Sequence, residues 1–126
     1  MLVFDIETNG LLYDVSKIHC ISTFDTEKEE TYIYNDQDDS YPSIRDGVNQ
    51  IMEADTLVGH NIIGYDLAVL RKLCPKFNTD AKCVDTLVLS RLYHPNLMEI
   101  DKKRQWRHMP LQLYGRHSLE AYGYRL

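Results

Sequence analysis

The stretch MLVFDIETNG sets Asp5 and Glu7 two residues apart among apolar Leu2, Val3, Phe4 and Ile6. Side chains two apart on a pleated strand share a face. Carboxylates about 7 Å apart repel by roughly 2 kcal/mol at an effective dielectric near 20. Such a pair suits Mg²⁺ or Mn²⁺, which take carboxylate oxygen and keep waters, and suits zinc poorly, since zinc favours nitrogen and sulfur. The D-x-E spacing is short and common, and on a plain surface it would carry no chemistry. Its apolar flanks give it weight.

A second constellation is GHNIIGYD, residues 59–66, which places His60, Asn61, Tyr65 and Asp66 at the junction of an apolar run and a helical one. Taken alone, His60 and Asn61 read equally well as loop hydrogen-bonding residues, and Asp66 as an acid favoured by a helix N-terminus. Asp85, ahead of TLVLSRLY, reads as a helix N-cap worth about 1 kcal/mol.

The elements that must position these groups follow from periodicity. LVFDI, bounded by Thr8-Asn9-Gly10, predicts a central strand buried on both faces. KIHCISTFD and ETYIYN alternate and predict an antiparallel meander with it. SIRDGVNQIMEA repeats Ile44, Val48, Ile51 and Met52 at helical spacing, with Ser43 or the preceding turn as its cap and Pro42 near its start. TLVGH predicts a strand, DLAVLRKL a helix stopped by Pro75, KCV a short strand, and DTLVLSRLY a helix. Residues 95–115 mix Pro95, Pro110, Gly115 and basic residues without periodicity and predict a loop; HSLEAYGYRL predicts a short closing helix. The expectation is an α/β fold: a mixed β-sheet of three antiparallel strands plus parallel strands, with helices packed on it, forming a single domain over 1–126. Sites in such sheets lie at the carboxyl ends of the central strands, where Asp5 and Glu7 fall.

Composition narrows the function classes. With 126 residues, 44% hydrophobic and 26% charged, the chain has the makings of one ordinary core. No apolar run approaches the roughly 20 residues of a membrane span, so no membrane partner is expected. Cys20, Cys74 and Cys83 form an odd set without a Cys-x-x-Cys pair, which argues for reduced thiols rather than a disulfide framework or zinc knuckle. A net charge of -5 argues against coating duplex nucleic acid through a broad basic face. Lys102, Lys103, Arg104, Arg107 and Arg116 still crowd one late segment that would suit the phosphates of a single strand, with Trp106 as a stacking surface, a core residue or a partner contact.

FDIET followed by HN-x-x-x-YD resembles the first two motifs of the DnaQ-like (DEDD) 3′-5′ exonucleases, which have the ribonuclease H-like fold. The likeness is greater to the proofreading exonuclease domain of T7-type phage family A DNA polymerases, where VDTLVLSRLYHPNL and GRHSLEAYGYRL also have counterparts in the same order. The resemblance implies metal-dependent hydrolysis of the 3′-terminal phosphodiester of DNA by two Mg²⁺ or Mn²⁺ ions. Asp5 would bridge both ions, Glu7 would hold the one that activates water, and Asp66 the second. Thr8 and Leu11 or Leu12 would lie beside the terminal nucleotide of a single-stranded 3′ end, with His60, Asn61 and Tyr65 near its sugar or phosphate. Asp85 matches a recurrent acid of the group. The implied setting is the cytoplasm, that of the host cell if the chain is phage-encoded.

The family also carries a third motif, Tyr or His followed four residues later by Asp, on a final helix. No such pair follows Asp85 here; Tyr32 to Asp36 and Tyr34 to Asp38 have the spacing in the wrong chain order. The resemblance therefore implies weak hydrolysis by these residues alone. It also implies a sheet face that the missing helix would cover, open to the polymerase portion of a split polymerase or to a homodimer partner. Two other readings stand beside it: a ribonuclease H-like module that binds a partner protein or a DNA 3′ end without turnover, and a nuclease acting on RNA.

Overall fold

The structure, a computed structural model, describes residues 1–126. They divide into two compact units, Met1–Asp85 and Thr86–Leu126. The first runs β1 (Leu2–Thr8), β2 (Ile18–Asp25), β3 (Glu30–Tyr34), α1 (Ile44–Glu53), β4 (Thr56–Gly59), α2 (Asp66–Leu73) and β5 (Lys82–Asp85). Its five strands are ordered β3-β2-β1-β4-β5. β1 is antiparallel to β2, β2 to β3, and the pairs β1–β4 and β4–β5 are parallel. The mixed α/β sheet expected from the sequence is present, with β1 at its centre.

Register decides which side chains meet. Leu2 lies opposite Leu57, and Ile6 opposite Ile21, which itself lies opposite Tyr34, so one sheet face is apolar across four strands. Onto it pack Val48 and Ile51 of α1 and Leu67, Val69 and Leu70 of α2 in one continuous core. Each such side chain contributes about 1.5–3 kcal/mol through burial. β1 is buried on this face only, which corrects the expectation of burial on both. The strand alternates, so Asp5 and Glu7 emerge exposed on the other side, opposite Ser22 and Cys20. A register shift between Glu7 and Thr8 bends the end of the strand where the acids sit.

α1 begins with a capping box: the Ser43 hydroxyl accepts from the Asp46 N–H, and the Asp46 carboxylate accepts from the Ser43 N–H at 3.2 Å. The three cysteines are free and half-buried, Cys74 and Cys83 against the core.

The second unit comprises α3 (Thr86–Tyr93), α4 (Leu97–Arg104), a 3₁₀ turn (Leu111–Leu113) and α5 (Leu119–Arg125). α4 and the 3₁₀ turn correct the expected loop over 95–115. Leu, Met, Glu, Lys and Arg are good helix formers, but the residue that α4 turns inward one turn after Leu97 is Asp101, so the helix has no apolar stripe. Asp101 is 0% exposed and accepts from Arg125 Nε (3.0 Å) and Nη2 (2.6 Å), Trp106 Nε1 (2.9 Å) and the Gly115 N–H (2.8 Å). These donors hold its pKa down, to about 2. Trp106 is thereby a half-buried member of the small core of Met109, Leu113 and Ala121.

Asp101→Ala strands a buried guanidinium and is expected to cost about 3–5 kcal/mol, read by urea unfolding. Because the carboxyl is depressed on folding, its stabilisation is present above about pH 4 and declines as pH falls toward 2. An acid titration that leaves the variant and its parent equally separated at pH 2 and pH 7 would contradict that role.

Candidate functional site at the carboxyl ends of the parallel strands

β1, β4 and β5 run parallel, so their carboxyl ends, Thr8, Gly59 and Asp85, lie at one edge of the first unit. Gly59 is required there. A Cβ on it would lie 2.7 Å from the Phe4 carbonyl oxygen and 2.2 Å from Ile62 Cγ2, so only glycine lets β4 pass so close to β1 before the chain turns. The turn itself is held from β5. The Asp85 carboxylate accepts from the Asn61 N–H at 2.9 Å and the Ile63 N–H at 3.1 Å. Asn61 takes φ 65, a left-handed conformation that asparagine tolerates. Asp85 is buried, and these bonds give it the structural task of fixing the 59–66 loop.

Asp66 opens α2. It is 3% exposed, and its Oδ1 accepts from the Ile6 N–H of β1 at 3.1 Å. β4 is in register with β1 only at Leu2 and Val3, so this carboxylate serves the N–H of Ile6 where no strand does. Burial pushes the Asp66 pKa up to about 6 against the pull of the Ile6 N–H, and the charges of Asp5 and Asp85 add to the rise. The Asp5 pKa is also raised, first by partial burial and then by Glu7, while His60 opposes. Asp5, Glu7, His60, Asp66 and Asp85 thus share one electrostatic neighbourhood. The sequence reading of a repelling pair is matched by these shifts.

The remaining candidates divide. The Tyr65 hydroxyl donates to the Gly10 carbonyl at 2.5 Å and lies 2.5 Å from Thr8 Oγ1, which itself lies 2.9 Å from the same carbonyl. Thr8 and Tyr65 therefore lock the end of β1 to the start of α2. Leu11 and Leu12 are exposed on the loop that follows. Lys72 was missed in the sequence; its ammonium donates to the Leu12 and Tyr13 carbonyls, 3.0 Å each. A lysine in the last turn of a helix carries no signal that it reaches a loop 60 residues away.

The donor set fits a divalent cation in kind. Asp5, Glu7 and Asp66 offer hard carboxylate oxygen, and the pKa values of Asp5 and Asp66 are raised first by burial and then by neighbouring acids, a repulsion that an ion would relieve. As they stand, no three His, Cys, Asp or Glu side chains are close enough together to hold a metal ion. Mg²⁺ is commonly held by one or two carboxylates with waters and substrate phosphate, so a preformed cage is not required.

An acid whose pKa rises on folding favours the folded chain below its unfolded value, and the gain is lost as pH passes through the folded value. For Asp66 that window is pH 4 to 6, and the shift from 3.8 to about 6 is worth roughly 3 kcal/mol. Asp66→Asn keeps an acceptor for Ile6 and removes the charge. Without divalent ions, the variant is expected to exceed its parent by up to about 3 kcal/mol in urea unfolding at pH 8, the gap closing by pH 4.

The family model described as RNase_H superfamily matches residues 2–120. The chain is 38% identical over 135 residues to the DNA-directed DNA polymerase of Enterobacteria phage T3 and 37% identical over 135 residues to that of Escherichia phage T7. All of this chain is aligned, but it spans 19% of the length of each polymerase. Among solved structures it is similar to "Exonuclease X in complex with 5' overhanging duplex DNA", with a TM-score of 0.50 and 18% identity over 98% of this chain and 85% of that one. That likeness speaks for the fold, and no helix of the chain is long and apolar enough to cross a membrane. With a family match over nearly its whole length, the chain belongs to the RNase H superfamily.

Proposed function

We propose that residues 1–126 act as one exonuclease domain of a phage-type DNA polymerase, removing the 3′-terminal nucleotide of a single strand in the cytoplasm of the host cell. The observation that carries this reading is the Asp66 carboxylate beside the central strand, its pKa raised by burial and further by the charges of Asp5 and Asp85, within a chain whose whole length aligns with 19% of the phage polymerases.

In this reading Asp5, Glu7 and Asp66 would hold Mg²⁺ or Mn²⁺. Two such ions would stabilise the attacking and departing oxygens and lower the pKa of the attacking water. The protein's own contribution is to fix the acids. The Ile6 N–H orients Asp66, β1 fixes the spacing of Asp5 and Glu7, and Asp85 holds the loop that carries His60 and Asn61. The chain spans 19% of the length of its polymerase relatives, and in this reading a Tyr or His with an Asp four residues on, supplied by the rest of the polymerase, would complete the ligand set.

A 3′-labelled single strand with Mg²⁺ or Mn²⁺ tests the reading, using the chain alone and mixed with the remaining polymerase polypeptide. Label release is expected in the mixture, and Asp5→Ala/Glu7→Ala should lower it by at least about 100-fold. No release in any mixture would sink the assignment. A second reading, binding of a 3′ end without turnover, is favoured by the absence of three convergent ligands; it requires strand binding that persists in every mixture without release.

A further inference from the structure

The loop after β1 is far more ordered than a connection needs to be. Asn9 Oδ1 accepts from the Ser16 and Lys17 N–H groups at 3.0 Å each, and the Asn9 N–H donates to the Lys17 carbonyl at 3.1 Å, closing its base. The Leu11 carbonyl accepts from the Asp14 and Val15 N–H groups at 3.0 and 2.8 Å, and Val15 is buried in the core. Tyr65 holds Gly10, and Lys72 holds the carbonyls of Leu12 and Tyr13. Yet the tip so held is apolar and open: Leu11 is 76% exposed and Tyr13 95%.

A rigid backbone that presents an aromatic ring to solvent is suited to stacking. Tyrosine has few rotors to immobilise, and a base can be stacked whatever its identity. Tyr13 lies six residues beyond Glu7, on the loop that the residue preceding Asp66 fastens to β1. We propose that Tyr13 is a stacking platform for a base of the single strand whose 3′ end the acids hold, and that Lys72 is a positioning residue that keeps the platform in place. This rests on the exonuclease reading of the acids and adds to it a contact with the bases.

Binding of a 5′-fluorescein oligonucleotide, followed by anisotropy with Ca²⁺ in place of Mg²⁺, tests it against a strand whose last three nucleotides are abasic. Tyr13→Ala should weaken binding of the base-bearing strand about tenfold and leave the abasic strand unchanged, while Tyr13→Phe should bind both as the parent does. Lys72→Met should reproduce the base-dependent loss and Lys72→Arg should restore it; an equal loss on both strands would make Lys72 a phosphate contact instead. The platform is overturned if the parent binds and Tyr13→Ala is silent, or if it loses equally on both strands. If the parent binds neither strand even when mixed with the remaining polymerase polypeptide, the exonuclease reading falls and takes the platform with it.

Discussion

The hydrogen bond from the Ile6 N–H to the Asp66 carboxylate is the contact on which the site depends. β1 outruns its parallel neighbour, since β4 is in register only with Leu2 and Val3. A buried N–H without an acceptor costs about 1–3 kcal/mol. The first residue of α2 supplies the acceptor. One bond therefore ties the helix to the central strand and sets a carboxylate in the shared field of Asp5 and Asp85.

Asp101 shows what the same group does when its surroundings are complete. Both carboxylates are buried, but Asp101 receives a two-pronged guanidinium, an indole N–H and a backbone N–H, and its pKa falls to about 2. Asp66 has the Ile6 N–H and acidic neighbours, and its pKa rises to about 6. A buried charge is comfortable only when paired. The second unit spends its carboxylate on holding α4, α5 and the 114–116 turn together, whereas the first leaves one short of positive charge. In the proposed reading, a bound cation would offset that imbalance at the edge of the first unit.

The architecture was legible because its signals are local. Alternation in IHCISTFD and ETYIY marks strands, Ser43 with Asp46 marks a helix start, and D-x-E with HN-x-x-x-YD marks the acids. Misreadings came where an inward residue is polar or an outward one apolar. Asp101 turned inward hides α4 from any hydrophobic period, and Val3 beside Phe4 makes β1 look buried on both faces. Asp85 reads as a cap from its place before a helix; its bonds to Asn61 and Ile63 cross 24 and 22 residues.

By itself the sequence determined the element types outside residues 95–115, the order of the strands in the chain and which carboxylates are candidates for the site, since these depend on residue type and short spacings. Only the tertiary structure decided that Asp66 is buried while Asp5 and Glu7 are exposed, that Asp85 clamps the loop after β4, and that Lys72 reaches the loop after β1. Those outcomes depend on which groups the parallel pairing of β1, β4 and β5 leaves without partners, and pairing across dozens of residues is not written in any local pattern.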